Sequence, residues 1–170
     1  MGYVNQRLVL YATFLVLATF FTFNGTAELP ERVATHFTTD GIADGWTNRE
    51  DYRLLILFFL IALPSLLVWL MAGLPRLTNG WGQIPNCEYW FAQERRQKTE
   101  NFLIGHACWL GCMTVAIVCG IHILILRANA ITPPVLATDR FITMIVVYLL
   151  GLAWWLVAFV RHFQKMDKHD

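Results

Sequence analysis

The sequence predicts an all-α integral membrane protein, with four transmembrane helices and a short interfacial helix before the third. Two observations carry this. Hydrophobic residues make up 56% of the 170 and charged residues only 15%, whereas a soluble domain of this length carries nearer a quarter charged residues. The charges also cluster, leaving four uncharged runs, Leu8–Phe23, Leu54–Leu74, Phe102–Leu126 and Phe141–Val160. Each is close to the roughly 20 residues a helix needs to cross ~30 Å of hydrocarbon. No water satisfies backbone groups there, so helix is the spanning structure such runs adopt. The strand-like alternation of a membrane barrel is absent. A single membrane domain follows, with spans at about 8–24, 54–74, 102–126 and 141–160, an outer loop at 25–53 and an inner loop at 75–101. The net charge of +1 and the lack of a basic, aromatic-interleaved stripe give no reason to expect nucleic acid as a partner.

The first span ends at Gly25-Thr26-Ala27, small residues of the kind that precede a signal-peptide cleavage site. Its apolar run is long and rich in Phe (Phe14, Phe20, Phe21, Phe23), which suits a retained helix better. Orientation follows from Lys and Arg in short loops. With the N-terminus inside, the inner side holds Arg7, Arg76, Arg95, Arg96, Lys98, Arg161, Lys165 and Lys168. The outer side holds Arg32, Arg49, Arg53, Arg127 and Arg140. This bias favours both termini in the cytoplasm.

In the outer loop Leu29, Val33 and Phe37 recur every fourth residue after Pro30, which suits a short amphipathic helix at the interface. A Thr-rich extended segment is nearly as good a reading. Asp40-Gly41 and Asp44-Gly45 read as two turns, because Gly accepts positive φ and Asp bonds its own downstream backbone. Trp46 and Tyr52 are expected at headgroup level. In the second span, Pro64 removes a backbone bond to Leu60 and should kink the helix. The inner loop is turn-rich to Asn86, a candidate N-cap, and then helical in character. Glu94–Lys98 and Arg96–Glu100 are i,i+4 pairs, and Tyr89, Trp90 and Phe91 form an apolar edge. The last loop is short and carries Pro133-Pro134.

The stretch LPERVATHFTTDGIADGW, residues 29–46, resembles the signature of the bacterial membrane proteins called domain of unknown function 1648. The matching positions are Leu29, Pro30, Val33, His36, Phe37, Gly41, Asp44, Gly45 and Trp46. The family frequently has Pro where this chain has Ala34, which implies a less rigid corner here. PNCEYWFAQERRQKTENFL, residues 85–103, resembles an Asn-Pro-x-x-Tyr-Trp…Glu-Arg-Arg stretch of the shorter members, with the first two residues reversed as Pro85-Asn86. The resemblance implies kinship with the SdpI-type proteins, which act in immunity to a secreted toxin and in signal reception. This chain looks like a short form.

Several clusters could carry chemistry. His36, Asp40 and Asp44 sit four apart and could ligate a metal. Without a Cys or second His nearby, turns and hydrogen bonds within the loop explain them more simply. Cys108, Cys112, Cys119 and His122 share one face of the third span. With no CxxC, and with Gly105, Gly111 and Gly120 beside them, close helix packing explains this face better than a soft-metal or haem site. His106 and His122 lie near the span's ends, where an imidazole can reach a headgroup or a carbonyl. No Asp, Glu, Lys or Arg interrupts the four runs, which weighs against an ion-coupled carrier.

No enzyme motif occurs, and neither a cofactor nor a metal is expected. The leading expectation is a non-enzymatic receptor, immunity-type or signalling protein of the inner membrane. Its outer loop (Leu29, Pro30, His36, Phe37, Asp40, Gly41, Asp44, Gly45, Trp46) would recognise a toxin, peptide or regulator. Its inner segment (Tyr89, Trp90, Glu94, Arg95, Arg96) would dock a regulator or anionic headgroups. The alternatives are an accessory subunit of a larger membrane complex, contacting it through Trp154, Trp155 and the small-residue face of the third span, and a metal-dependent membrane enzyme using His36.

Overall fold

The computed structural model describes residues 2–164, so Lys165 and Lys168, counted above among the inner charges, lie outside the described residues. Helix α1 spans Gly2–Ala27 and is followed by strands β1 (Arg32–Phe37) and β2 (Ala43–Asn48). Helix α2 (Arg49–Val68) continues through a π-helical turn, Trp69–Gly73, into α3 (Leu74–Thr78). A single-turn helix α4 (Cys87–Trp90) precedes α5 (Arg96–Asn129) and α6 (Thr138–Gln164). Four helical stretches are long and apolar enough to cross a membrane, as the sequence predicts.

Each helix runs past its uncharged run. The 34 residues of α5 extend about 50 Å at ~1.5 Å per residue, well beyond the hydrocarbon layer. Charged turns in the interfacial zone prolong these helices; Glu50 and Asp51, for example, complement the N-terminal end of α2. Helix α2 continues through the buried Pro64 as far as Val68, and a π turn follows at Trp69–Gly73. There Gly73 leaves the space that the Trp69 ring occupies; an added Cβ would lie 2.9 Å from Trp69 Cδ1.

Helix α5 is central, packed by α1, α2 and α6. Tyr11 and Ala18 of α1, Ile56 and Leu60 of α2, and Ile104, Ala107, Cys108, Val115 and Val118 of α5 form the main core. Close approach at α5 depends on its glycines: a Cβ at Gly111 would come within 2.7 Å of Tyr11 and 2.8 Å of Val68. The cysteine face is thus a packing face, with Cys108 buried and Cys112 and Cys119 packed against the same core. Of α6, only Trp155 and Phe163 are buried among the described residues.

The outer loop departs from the favoured helix. It is an antiparallel β-hairpin, with Val33 opposite Thr47 and Ala34 opposite Trp46, and bulges flanking His36. Leu29 and Val33 are buried and Phe37 packs on the main core, so the apolar spacing was right and the element wrong. Pro30 precedes a strand, not a helix. Asp40-Gly41 does turn the chain: Gly41 has φ +81° and its N–H reaches Thr38 O at 2.9 Å. Asp44-Gly45 makes no turn and lies within β2.

The hairpin and residues 130–137 share one end of the bundle. Gly41 O accepts from Leu136 N–H at 2.9 Å, and Ile42 bridges to Val135. The other end gathers α3, α4 and the C-terminal part of α6. The interfacial helix is shorter than the helical character of its sequence suggested, since turns from Phe91 to Arg95 separate α4 from α5. Asn86 precedes α4 in a left-handed conformation (φ 54°) without a side-chain cap, and Glu94 lies in the turns, outside α5. Arg96 does pair with Glu100, at 3.0 Å, and Arg76 joins the same carboxylate at 3.1 Å.

Candidate functional site

The hairpin has two distinct faces because side chains alternate along a strand. Inward, Val33, Thr35, Phe37 and Thr47 meet the helices. Thr35 and Thr47 share a hydrogen bond of 3.0 Å and roof a cavity of about 470 Å³ between α2, α5 and α6. Leu55, Phe59, Ile117 and Ile121 line it, with Tyr148 at the α6 side. Outward, β2 presents Asp44, Trp46 and Asn48 to solvent. His36 joins them from β1, with Nδ1 2.5 Å from an Asp44 carboxylate oxygen.

Asn129, at the end of α5, fixes this hairpin. Its amide Oδ1 accepts the Ala34 N–H at 2.8 Å, while Nδ2 donates to Ala34 O at 3.0 Å and to Ile125 O at 2.9 Å. A side-chain amide thereby acts as a third strand on the outer edge of β1. Ala34 is fully buried. The N–H that Pro would lack at this position is the one Asn129 secures. Since both polar groups of Ala34 point away from β2, its partner Trp46 turns its own N–H and C=O to the far edge. Among the described residues nothing bonds them there.

Beneath the hairpin lies a buried polar group set spanning three helices. His122 of α5 is wholly buried and its Nδ1 shares a 2.9 Å hydrogen bond with the Tyr52 hydroxyl of α2. Its Nε2 has no partner among the described residues and faces Gly25 of α1, where a Cβ would sit 2.7 Å away. The next residue of α2 after Tyr52, Arg53, donates from Nε to Thr26 Oγ1 at 2.8 Å, pairs with Glu50 at 2.8 Å, and lies over the Phe23 ring. Arg49 reaches Leu29 O at 3.1 Å. These contacts lock α1, α2 and α5 directly under the strands.

Tyr52 and His122 are buried against each other, so neither side chain is turned outward to lipid headgroups. The motif Gly25-Thr26 that resembles a cleavage site is where α1 meets His122 and Arg53. Sequence reasoning gave Tyr52 only a headgroup position and Arg53 only a place in the charge count, and it missed Asn129, because their partners stand 70, 27 and 95 positions away.

Of the predicted recognition residues, His36, Asp44 and Trp46 are brought to one exposed face. Leu29 and Phe37 are packed inward, Pro30 leads into β1, Gly45 lies opposite His36, and Asp40 and Gly41 form the tip. No group of three His, Cys, Asp or Glu residues converges among the described residues. Of the inner docking set, Tyr89, Trp90 and Arg95 line one small cavity with Lys98 and His162. The Trp90 ring packs on Phe163 and His162 at centroid distances of 5.3 and 5.2 Å, and Arg95 lies 4.1 Å over Tyr89. Arg96 is held by Glu100 and by Asn79 at 3.0 Å. Glu94 and Arg96 are the exposed members of the set.

No curated protein and no solved structure matches the chain. The family described as Domain of unknown function (DUF1648) matches residues 12–63. That segment holds most of α1, the whole hairpin and α2 as far as Leu63, so it includes every residue of the exposed face and all but His122 and Asn129 of the contacts below it. The matched region is two helices joined by a fastened β-hairpin, within a chain whose four long apolar helices mark it as a multi-pass membrane protein.

Proposed function

We propose that the protein is a non-enzymatic recognition protein of the bacterial cytoplasmic membrane, of the receptor or immunity type. Its termini face the cytoplasm and its hairpin faces outward, in line with the Lys and Arg bias of the loops. The ligand is an extended peptide segment, a secreted toxin or regulator, that adds as a strand along β2. One observation carries this reading: β1 is closed by Asn129, while the edge of β2 at Trp46 stays open beside the exposed His36–Asp44 pair. Strand addition draws affinity from main-chain bonds and selectivity from flanking side chains.

The test uses the full chain in lipid nanodiscs, mixed with peptides from the culture medium of its host, with bound species identified by mass spectrometry. Trp46→Pro removes the outward N–H without touching the β1–β2 ladder, and Trp46→Ala keeps it. Loss of capture in the Pro variant, together with losses in His36→Ala and Asp44→Ala, is the expected result. Unchanged capture by all four variants sinks the reading.

A second reading, an accessory subunit, is supported by the bare outer side of α6, where Trp154 is 68% exposed. Native electrophoresis from mild detergent separates the two readings, since a free monomer or homo-oligomer argues against a larger complex.

A further inference from the structure

At the end of the bundle opposite the hairpin, a second cleft of about 540 Å³ opens between α1, α5 and α6. Its walls are apolar and aromatic, with Trp109 of α5 and Trp154 and Trp155 of α6 prominent. Along α5 it runs from Gly105 to Cys112, about 10 Å at ~1.5 Å per residue. Its mouth is different in kind. Arg7 of α1 lies there with His106, and the Arg7 guanidinium rests against Gly105, in the space a side chain at that position would fill. Arg7 donates to Asn101 O at 3.5 Å, and no acidic residue pairs with it among the described residues.

We infer that this cleft binds a membrane phospholipid with an anionic headgroup, from the leaflet on the side of the chain termini. The lipid phosphate meets Arg7, and an acyl chain lies between the tryptophans. Charge complementarity selects this occupant: the cation at the mouth has a neutral carbonyl as its protein partner, so a negative headgroup is the complement the cleft offers a place for. The shape agrees, because an aromatic cleft in the hydrocarbon with a single basic end matches an amphiphile carrying one negative charge. Glycine at position 105 is what lets the guanidinium lie flat on α5 and face the cleft. This site stands apart from the hairpin and does not depend on what the hairpin binds.

Native mass spectrometry of the purified full chain in mild detergent, titrated with phosphatidylglycerol or phosphatidylcholine, tests the inference. The wild type should retain phosphatidylglycerol about fivefold better, the share of one basic residue in attracting an anionic lipid. Arg7→Gln, an exposed change that leaves the core intact, should bring the two lipids level. Gly105→Leu should do the same by displacing the guanidinium. Arg161→Gln, a cation at the same end but outside the cleft, should leave the preference in place. Equal retention of both lipids by the wild type overturns the inference, as does a preference that survives Arg7→Gln or vanishes in Arg161→Gln. Displacement of the lipid by millimolar inorganic phosphate overturns it too, since the site would then be one for a free anion.

Discussion

Replacing Asn129 with Ala removes both hydrogen bonds that close the outer edge of β1, those to Ala34 N–H at 2.8 Å and Ala34 O at 3.0 Å. Because Ala34 is fully buried, water does not simply take over. A buried donor or acceptor left unpaired costs about 1–3 kcal/mol, so two of them, partly relieved by local opening, cost about 2–4 kcal/mol. At ~1.4 kcal/mol per decade this is a rise of about 30- to 1,000-fold in the open population of this edge. Amide hydrogen exchange of the chain in detergent reads it directly: the Ala34 amide should accelerate by that factor, while amides in the middle of α5 stay protected. Asn129→Asp keeps the acceptor for the Ala34 N–H and loses the donor, so its effect should be intermediate. Ala34→Pro should cost more in the wild type than beside Asn129→Ala, because the N–H it deletes is then already unpaired. An Ala34 amide that exchanges at the wild-type rate in Asn129→Ala would refute the account of the hairpin.

Other variants test the buried contacts. Tyr52→Phe strips His122 of its one hydrogen bond and should destabilise the chain by about 1–3 kcal/mol, seen as a shift in the denaturant midpoint in mixed micelles; an unchanged midpoint means the pair contributes nothing. Gly111→Leu forces a side chain between Tyr11 and Val68 and should cost about 1–3 kcal/mol by overpacking. A drop in thermal midpoint checks it, with Ala158→Leu in the open cleft as the tolerated control. Glu100→Gln weakens the tie among Arg76, Arg96 and α5. With each exposed pair worth about 0.2–1 kcal/mol, proteolysis within residues 79–86 should rise only a few-fold; complete protection would contradict the role given to Glu100.

The spans were legible because their signal is local and strong. Twenty apolar residues without a charge leave a chain little choice, and no distant contact is needed to read them. The hairpin was harder. Leu29, Val33 and Phe37 are four apart, and an even spacing of four places residues on one side of a strand as well as near one side of a helix. Periodicity alone could not separate the two, and the Thr- and Gly-containing sequence that follows them, Thr38-Thr39-Asp40-Gly41, was the better guide. Asp44-Gly45 looked like a turn for the same reason: the pair is a turn signal only where the strand has ended, and here it continues to Asn48. The contacts that position the site left no mark in a linear reading. Tyr52 is one aromatic residue at a span's edge until α5 brings His122 beside it, and Asn129 is one polar residue after an apolar helix. Gly105 is similar: it suggested helix packing, and its actual neighbour is the guanidinium of Arg7.

The side-chain amide that closes β1 also sets an order of assembly. Residues 34 and 129 are separated by 95 positions, so during synthesis the first two helices and the strands between them are complete long before their clasp exists. Until α5 enters the bilayer, Ala34 has an open backbone edge, Tyr52 lacks His122, and the underside of the hairpin rests on α2 without α5. The region that matches the family is therefore not self-sufficient in this chain. Cut after α3, it would keep its sequence signature and lose the partners on α5 that hold that signature in place.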